Sequence, residues 1–226
     1  MTDSNTFPYP TPPVRTASDQ AFDTIRQKIL NGELAPGSKL TRREMAEIAG
    51  TSVIPVIEAM IRLEQEGLVE SKPLIGSRVV TLDEKRTRDL FALREAVEVQ
   101  VARILAGTLT PEQEENCRTI AKQLDENLYT GTSKMSEDSL WKLHLKFHSG
   151  LAELTECPSL VAALRRVNLY DILRGVVTRN RARNLPKNWH MRLVDALMSG
   201  DADVAERVMR HHVRSSLEAE EAAEAE

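Results

Sequence analysis

The chain has 226 residues, 41% of them hydrophobic and 28% charged, the balance of an ordinary globular protein with room for one small and one medium domain. Thirty Lys and Arg against thirty-four Asp and Glu give a net charge of −4; five glutamates between Leu217 and Glu226 set that sign, and without them the net would be +1. Composition therefore neither announces nor excludes nucleic acid. No apolar run approaches the roughly 20 residues that cross a bilayer. The N-terminus lacks the apolar stretch of a secretory signal. These features predict a cytoplasmic protein with no membrane partner. Cys117 and Cys157 have no metal or disulfide spacing and read as reduced thiols. Ten glycines and nine aromatic residues are too few for an all-β fold.

Residues 1–16 hold four of the ten prolines and read as a disordered arm. From Ser18, with Ser18 or Asp19 as cap, Phe22, Ile25, Ile29 and Leu30 mark one helical face that ends at Asn31-Gly32. A short helix follows Thr41, with Met45, Ala46 and Ala49 inward and Gly50 at its end. Ser52 caps the next, whose buried stripe is Val56, Ala59, Met60 and Leu63, with Pro55 tolerated in its first turn. Residues 68–71 and 77–81 then alternate as the chain's one convincing strand pair, around the turn 72–76. Three short helices and a hairpin over residues 17–82 describe a winged helix-turn-helix.

Residues 83–226 read as helical throughout, closing on the acidic tail. Asp83 caps a long helix with an apolar face of Leu90, Leu93, Val97, Val101 and Leu105. Thr110-Pro111-Glu112 opens another, and further helices are predicted over 137–155, 158–183, 188–199 and 201–218. The fold class expected is mainly α, a winged helix-turn-helix followed by an all-α bundle.

All five histidines fall in that bundle. His144 and His148 are four apart on one helix, on the face of Leu140, Phe147, Leu151 and Leu154. His190 opens the stripe Leu193, Val194, Leu197 and Met198; His212 continues Ala202, Ala205, Val208 and Met209. His211 is turned about 100° away, toward solvent. Four imidazoles in apolar layers are costly unless paired. A shared metal removes that cost, and the donor set suits Zn, with Ni, Cu or Co as alternatives.

The N-terminal block resembles the GntR family of bacterial transcription regulators. The resemblance rests on Ile25, Ile29, Gly32, Leu34, Pro36-Gly37, Leu40, Arg43, Met45-Ala46, Gly50, Ser52, Pro55-Val56, Glu58-Ala59, Leu63-Glu64-x-Glu66-Gly67-Leu68 and Gly76. It implies operator DNA as partner, a pseudo-palindrome bound by a homodimer. The second helix of such a motif enters the major groove. The DNA-binding residues are then Arg42, Arg43, Ser52 and Ile54, with Lys72, Gly76, Ser77 and Arg78 on the wing. Where the family usually reads Ser-Arg-Thr-Pro-Val-Arg-Glu, this chain has Ser52-Val53-Ile54-Pro55-Val56-Ile57-Glu58, replacing both arginines. Two exposed β-branched residues suit thymine methyls, or a weakened or relocated interface. Residues 1–80 carry a net charge of only −1, so a DNA-facing surface must come from local segregation.

The second domain is similar to the FCD effector domain of FadR-type GntR regulators, particularly the six-helix VanR-type form. His190-x9-Gly200-Asp201-x3-Ala205-x3-Met209-x2-His212, Phe147-His148 and Arg94-x3-Glu98 carry that likeness. It implies metal ligands at His144, His148, His190 and His212, with His144 standing where the family usually has Asp. It also implies a small carboxylate-type metabolite as effector, held by Arg94, with Asn168 and Arg174 as further candidates, and a regulator, by family tendency a repressor, rather than an enzyme. Two rival readings are a helical-bundle metalloenzyme, for which no general base stands out since Glu153 and Asp195 lack motif context, and a regulator whose metal is purely structural.

Overall fold

The computed structural model describes residues 15–81, 83–128, 135–178 and 188–224. The chain divides into two compact units, one ending at Thr81 and the other beginning at Leu82. The expected arm lies almost wholly outside the described residues.

The first unit runs α1 (Ala17–Leu30), β1 (Lys39–Leu40), α2 (Arg42–Ala49), α3 (Val53–Gln65), β2 (Val69–Lys72) and β3 (Gly76–Val79). Helix α1 is capped by Thr16, whose hydroxyl accepts from the Asp19 N–H while the Asp19 carboxylate accepts from the Thr16 N–H. Ser18, expected as a cap, is instead buried one position inside the helix. Helices α2 and α3 meet at Gly50, which takes φ +64. Ile25, Ile29, Met45 and Leu63 are fully enclosed between the three helices. The sheet has three strands in the order β1-β3-β2, all antiparallel, rather than the hairpin alone. The extra strand forms because Leu40 has an apolar site to fill beside β3. Gly37 makes the approach possible: at φ +82, a Cβ there would meet Thr81 at 3.1 Å.

In the second unit six helices are described: α4 (Glu84–Leu105), α5 (Pro111–Leu128), α6 (Glu137–Leu154), α7 (Pro158–Thr178), α8 (Trp189–Met198) and α9 (Ala202–Glu224). Asp83 caps α4 and Asp201 caps α9, as their positions predict. The inner face of α4 differs from the expected stripe. Leu93 is exposed, and Phe91, Arg94, Val97, Glu98, Val101 and Leu105 turn inward. An ion pair thus sits inside the bundle, where periodicity alone suggested leucine. Helix α9 runs beyond the expected end at 218 to Glu224. It is fastened to α4 by Arg103 with Asp203 and Glu206, at 2.7 and 2.6 Å, and by Arg210 and Arg214 with Glu95. Two loops touch backbone to backbone, since a Cβ on Gly107 would lie 2.9 Å from the Gly200 Cα. No described helix is long and apolar enough to cross a membrane.

Candidate metal centre and DNA-facing surface

Helices α6, α8 and α9 bring His144, His148, His190 and His212 into one buried cluster, while His211 stays exposed. One ligand nitrogen from each lies within 4.8 Å of the others. The Nε2 atoms of His148 and His212 are 3.2 Å apart, a separation that two nitrogens about 2.0–2.1 Å from one shared ion can have. Burial pushes the His144 and His212 imidazoles well below their ordinary range, and the neighbouring imidazoles and Arg94 add to it. Burial also lowers His190, against the opposing pull of Asp125. Neutral rings are what ligation needs.

Two carboxylates stand behind the imidazoles. Glu98 on α4 is paired with the Nδ1 of His148, and its other oxygen accepts from Arg94 Nε at 2.6 Å. Burial alone would raise the Glu98 carboxyl; His148 and Arg94 outweigh it and hold it at about 2. Asp125 on α5 accepts from His190 Nδ1 at 2.8 Å and from the backbone N–H groups of His190 and Met191, both at 3.0 Å. One side chain therefore orients a ring and also caps α8, whose own cap residue Asn188 makes no side-chain capping bond. A neutral ring that gives its Nδ1–H to a carboxylate keeps its lone pair on Nε2, the nitrogen that His148 and His190 then have free for a metal. His190 Nε2 and His144 Nδ1 are buried with no hydrogen-bond partner. That is costly in an apolar layer and fits a bound cation. The donor set, four imidazoles backed by two carboxylates, suits a divalent transition metal. Glu98 belongs to the Arg94-x3-Glu98 motif, whose spacing alone gives it no role; Asp125 carries no sequence signal, being 65 residues from its partner.

The chain's two tryptophans flank the cluster. Trp141 stacks on His144 at 5.7 Å between centroids, and Trp189 lies 4.6 Å from His212. Arg94, expected to hold an effector, is buried, tied to Glu98, and close enough for its charge to act on His144, His190 and His212. Asn168 is buried on α7 and donates to Ser149 at 3.0 Å. The Arg174 side chain lies outside the described residues. Glu153 and Asp195 pair at the surface with Arg165 and Arg118.

In the first unit Arg42, Arg43, Ser52, Ile54 and Lys72 are exposed. Arg43 lies 3.6 Å from Glu47 with its side chain 90% exposed. On the wing Gly76 turns at φ +99, Ser77 bonds Ser71 at 2.9 Å, and Arg78 is held across the strands by Glu70 at 2.5 Å. Ile57, expected to be exposed, is half-buried; Val53 is the open one of the pair. The wing tip itself is apolar, with Leu74 and Ile75 in solvent.

Residues 17–79 match the gntR family of bacterial regulatory proteins, and residues 89–215 match the FCD domain. An HTH-type transcriptional regulator in an unstable DNA locus of Streptomyces ambofaciens is 32% identical, over 89% of this chain and 84% of that one. The HTH-type transcriptional repressor RspR of Escherichia coli K12 is 27% identical, over 91% and 90%. Two solved structures share the fold: a GntR-type structure from Rhodococcus sp. RHA1 (TM-score 0.66, 19% identity, 88% of this chain and 94% of that one) and E. coli McbR/YncC (TM-score 0.62, 16%, 90% and 96%). These matches displace the metalloenzyme reading: the chain belongs to the GntR family, a transcriptional regulator with a winged helix-turn-helix and an FCD domain.

Proposed function

We propose that the protein is a homodimeric, metabolite-responsive repressor of the cytoplasm. It binds a pseudo-palindromic operator through its winged helices and leaves it when a small carboxylate occupies the FCD domain. Arg42, Arg43, Ser52 and Ile54 face the major groove, and Lys72, Gly76, Ser77 and Arg78 lie along the backbone. His144, His148, His190 and His212 hold a divalent metal, zinc first among Zn, Ni, Cu and Co. When bound, that ion supplies a coordination position for an anion. Arg94 provides the positive charge next to it, and Asn168 and Arg174 complete the effector site.

The observation that carries this reading is the cluster of four buried imidazoles, with Glu98 and Asp125 behind two of them, in a chain that also holds a winged helix. The name of RspR supports repression. His144 in place of an aspartate leaves the ligand shell uncharged, which strengthens the pull on an anion.

The test is an equilibrium titration of the full-length protein on the intergenic DNA beside its own gene, with sedimentation to read its assembly. A dimer that prefers a two-fold-related site, with affinity falling steeply in salt, is expected. A monomer with no site preference would overturn the reading.

A further inference from the structure

Helix α3 has two apolar faces. The inner one, Val56, Ala59, Met60 and Leu63, is buried. The outer one begins with Val53 and Ile54, 40% and 72% exposed, and continues through half-buried Ile57 to exposed Ile61. Val53, Ile57 and Ile61 are four apart, so they form one line along the helix. A surface helix ordinarily turns polar residues outward. Among the described residues of this unit, the exposed large apolar side chains are Val53, Ile54, Ile61, Leu74 and Ile75, all on α3 or at the wing tip. Those are the two elements that a winged helix presents to a duplex. The unpartnered apolar surface coincides with the surface that DNA would cover.

The first turn of α3 sharpens this. It carries no acidic residue, and Ser52 makes no side-chain cap bond. The turn thus keeps the Val53 and Ile54 backbone N–H groups for a phosphate, Pro55 having none, but offers no side-chain donor from either residue. A guanine edge pressed against those two residues would bury O6 and N7 without a partner, which is penalised. Thymine presents a C5-methyl group at the same groove edge. The chemistry of the helix start matches the methyl and rejects the guanine.

The geometry points to an operator half-site read through thymine methyls, with Val53 and Ile54 packed on the C5-methyl groups of T·A pairs and G·C pairs disfavoured at those steps. This rests on the DNA-binding reading above and narrows it to a class of sequence. Of the two family arginines replaced here, the one at position 53 falls in this contact, where valine beside Ile54 gives the helix start a methyl-reading surface in place of a guanidinium fork.

The experiment begins with full-length protein and a pool of random duplexes, from which bound sequences are selected. The enriched duplex is then remade with deoxyuridine for thymidine, one position at a time; the two differ only by the methyl. T·A pairs at matching positions of both half-sites are expected, and each contacted methyl lost should weaken binding about four-fold. Ile54→Ala, at an exposed position, should keep the fold by circular dichroism and lose part of the sensitivity to deoxyuridine. An enriched duplex that is bound equally with either base, or that carries guanine at these positions, overturns the inference alone. A pool from which nothing is enriched overturns the DNA-binding reading beneath it.

Discussion

Asp125 accepts three hydrogen bonds from one end of α8, and that concentration makes it the most informative single carboxylate in the second unit. Asp125→Ala releases the His190 ring and uncaps the helix that carries it. A carboxylate behind a ligating imidazole typically contributes 10- to 100-fold in metal affinity, so the variant should bind Zn about that much more weakly in competition with a chromophoric chelator. The tryptophans give a second readout. Trp141 and Trp189 touch His144 and His212, so Cu(II) should quench their emission in the wild type and need a higher concentration to do so in the variant. Quenching at unchanged concentration would place the ion elsewhere. On the DNA side, Arg43 is an exposed guanidinium on α2, loosely paired with Glu47 on its own helix. Arg43→Ala should cost about 1–3 kcal/mol of operator binding if its fork pairs with a guanine edge outside the Val53–Ile54 contact. A filter-binding comparison of operator and unrelated DNA checks this, since uniform weakening on both would assign Arg43 to phosphate.

At the scale of elements, α9 is held to α4 by charge as well as by its apolar face. Arg214 lowers the Glu95 carboxyl below its ordinary range; partial burial opposes this and Arg210 adds to it. A lowered folded value means that the ionised form is the one the fold favours. The contribution is complete above the unfolded value near 4.5 and is lost as pH falls below it. Because Arg214 is largely in solvent, about 1 kcal/mol is expected. Glu95→Gln should melt below wild type at pH 7, with the gap beginning to narrow only below about pH 4.5 and closing as pH falls through the lower folded value; a gap independent of pH would deny the ion pair its role. The elements themselves were largely legible in the sequence, because Gly50, Asp83, Pro111 and Asp201 punctuate strong apolar periodicity. The four inward histidines were legible for the same reason: each shares a face with leucine or valine. What escaped depended on partners distant in sequence. Leu40 pairs with Ser77 and so turns a loop into β1, and Asp125 reaches His190 across 65 residues. Leu93 misled because the period allows either it or Arg94 inward, and only the buried Glu98–His148 pair decides for the charged residue.

Across the whole molecule, the proposed switch depends on one helix arrangement serving metal, effector and dimer together. His144 and His148 come from α6, His190 from α8 and His212 from α9, while Glu98 on α4 and Asp125 on α5 stand behind two of them. Five of the six described helices of this unit therefore converge on the cluster, and their placement is shared by whatever binds there. An anion completing the site favours only the arrangement that completes it, and by linkage shifts the protein toward that state. His190→Ala removes a ligand while leaving α4 and the winged helix intact. It should lower metal content, weaken effector binding and blunt effector-induced release of DNA, with effector-free DNA binding largely unchanged. Protons compete for the same ring nitrogens, and burial holds three of these rings below the ordinary histidine range, so wild-type metal content should fall only as pH drops well below about 6. Metal analysis beside operator titrations of both proteins, with a panel of small carboxylates, distinguishes a switch from a staple. A variant that has lost its metal, melts lower, and still releases DNA at the wild-type carboxylate concentration would make the four histidines a structural clasp and locate the effector's grip entirely in Arg94 and its neighbours.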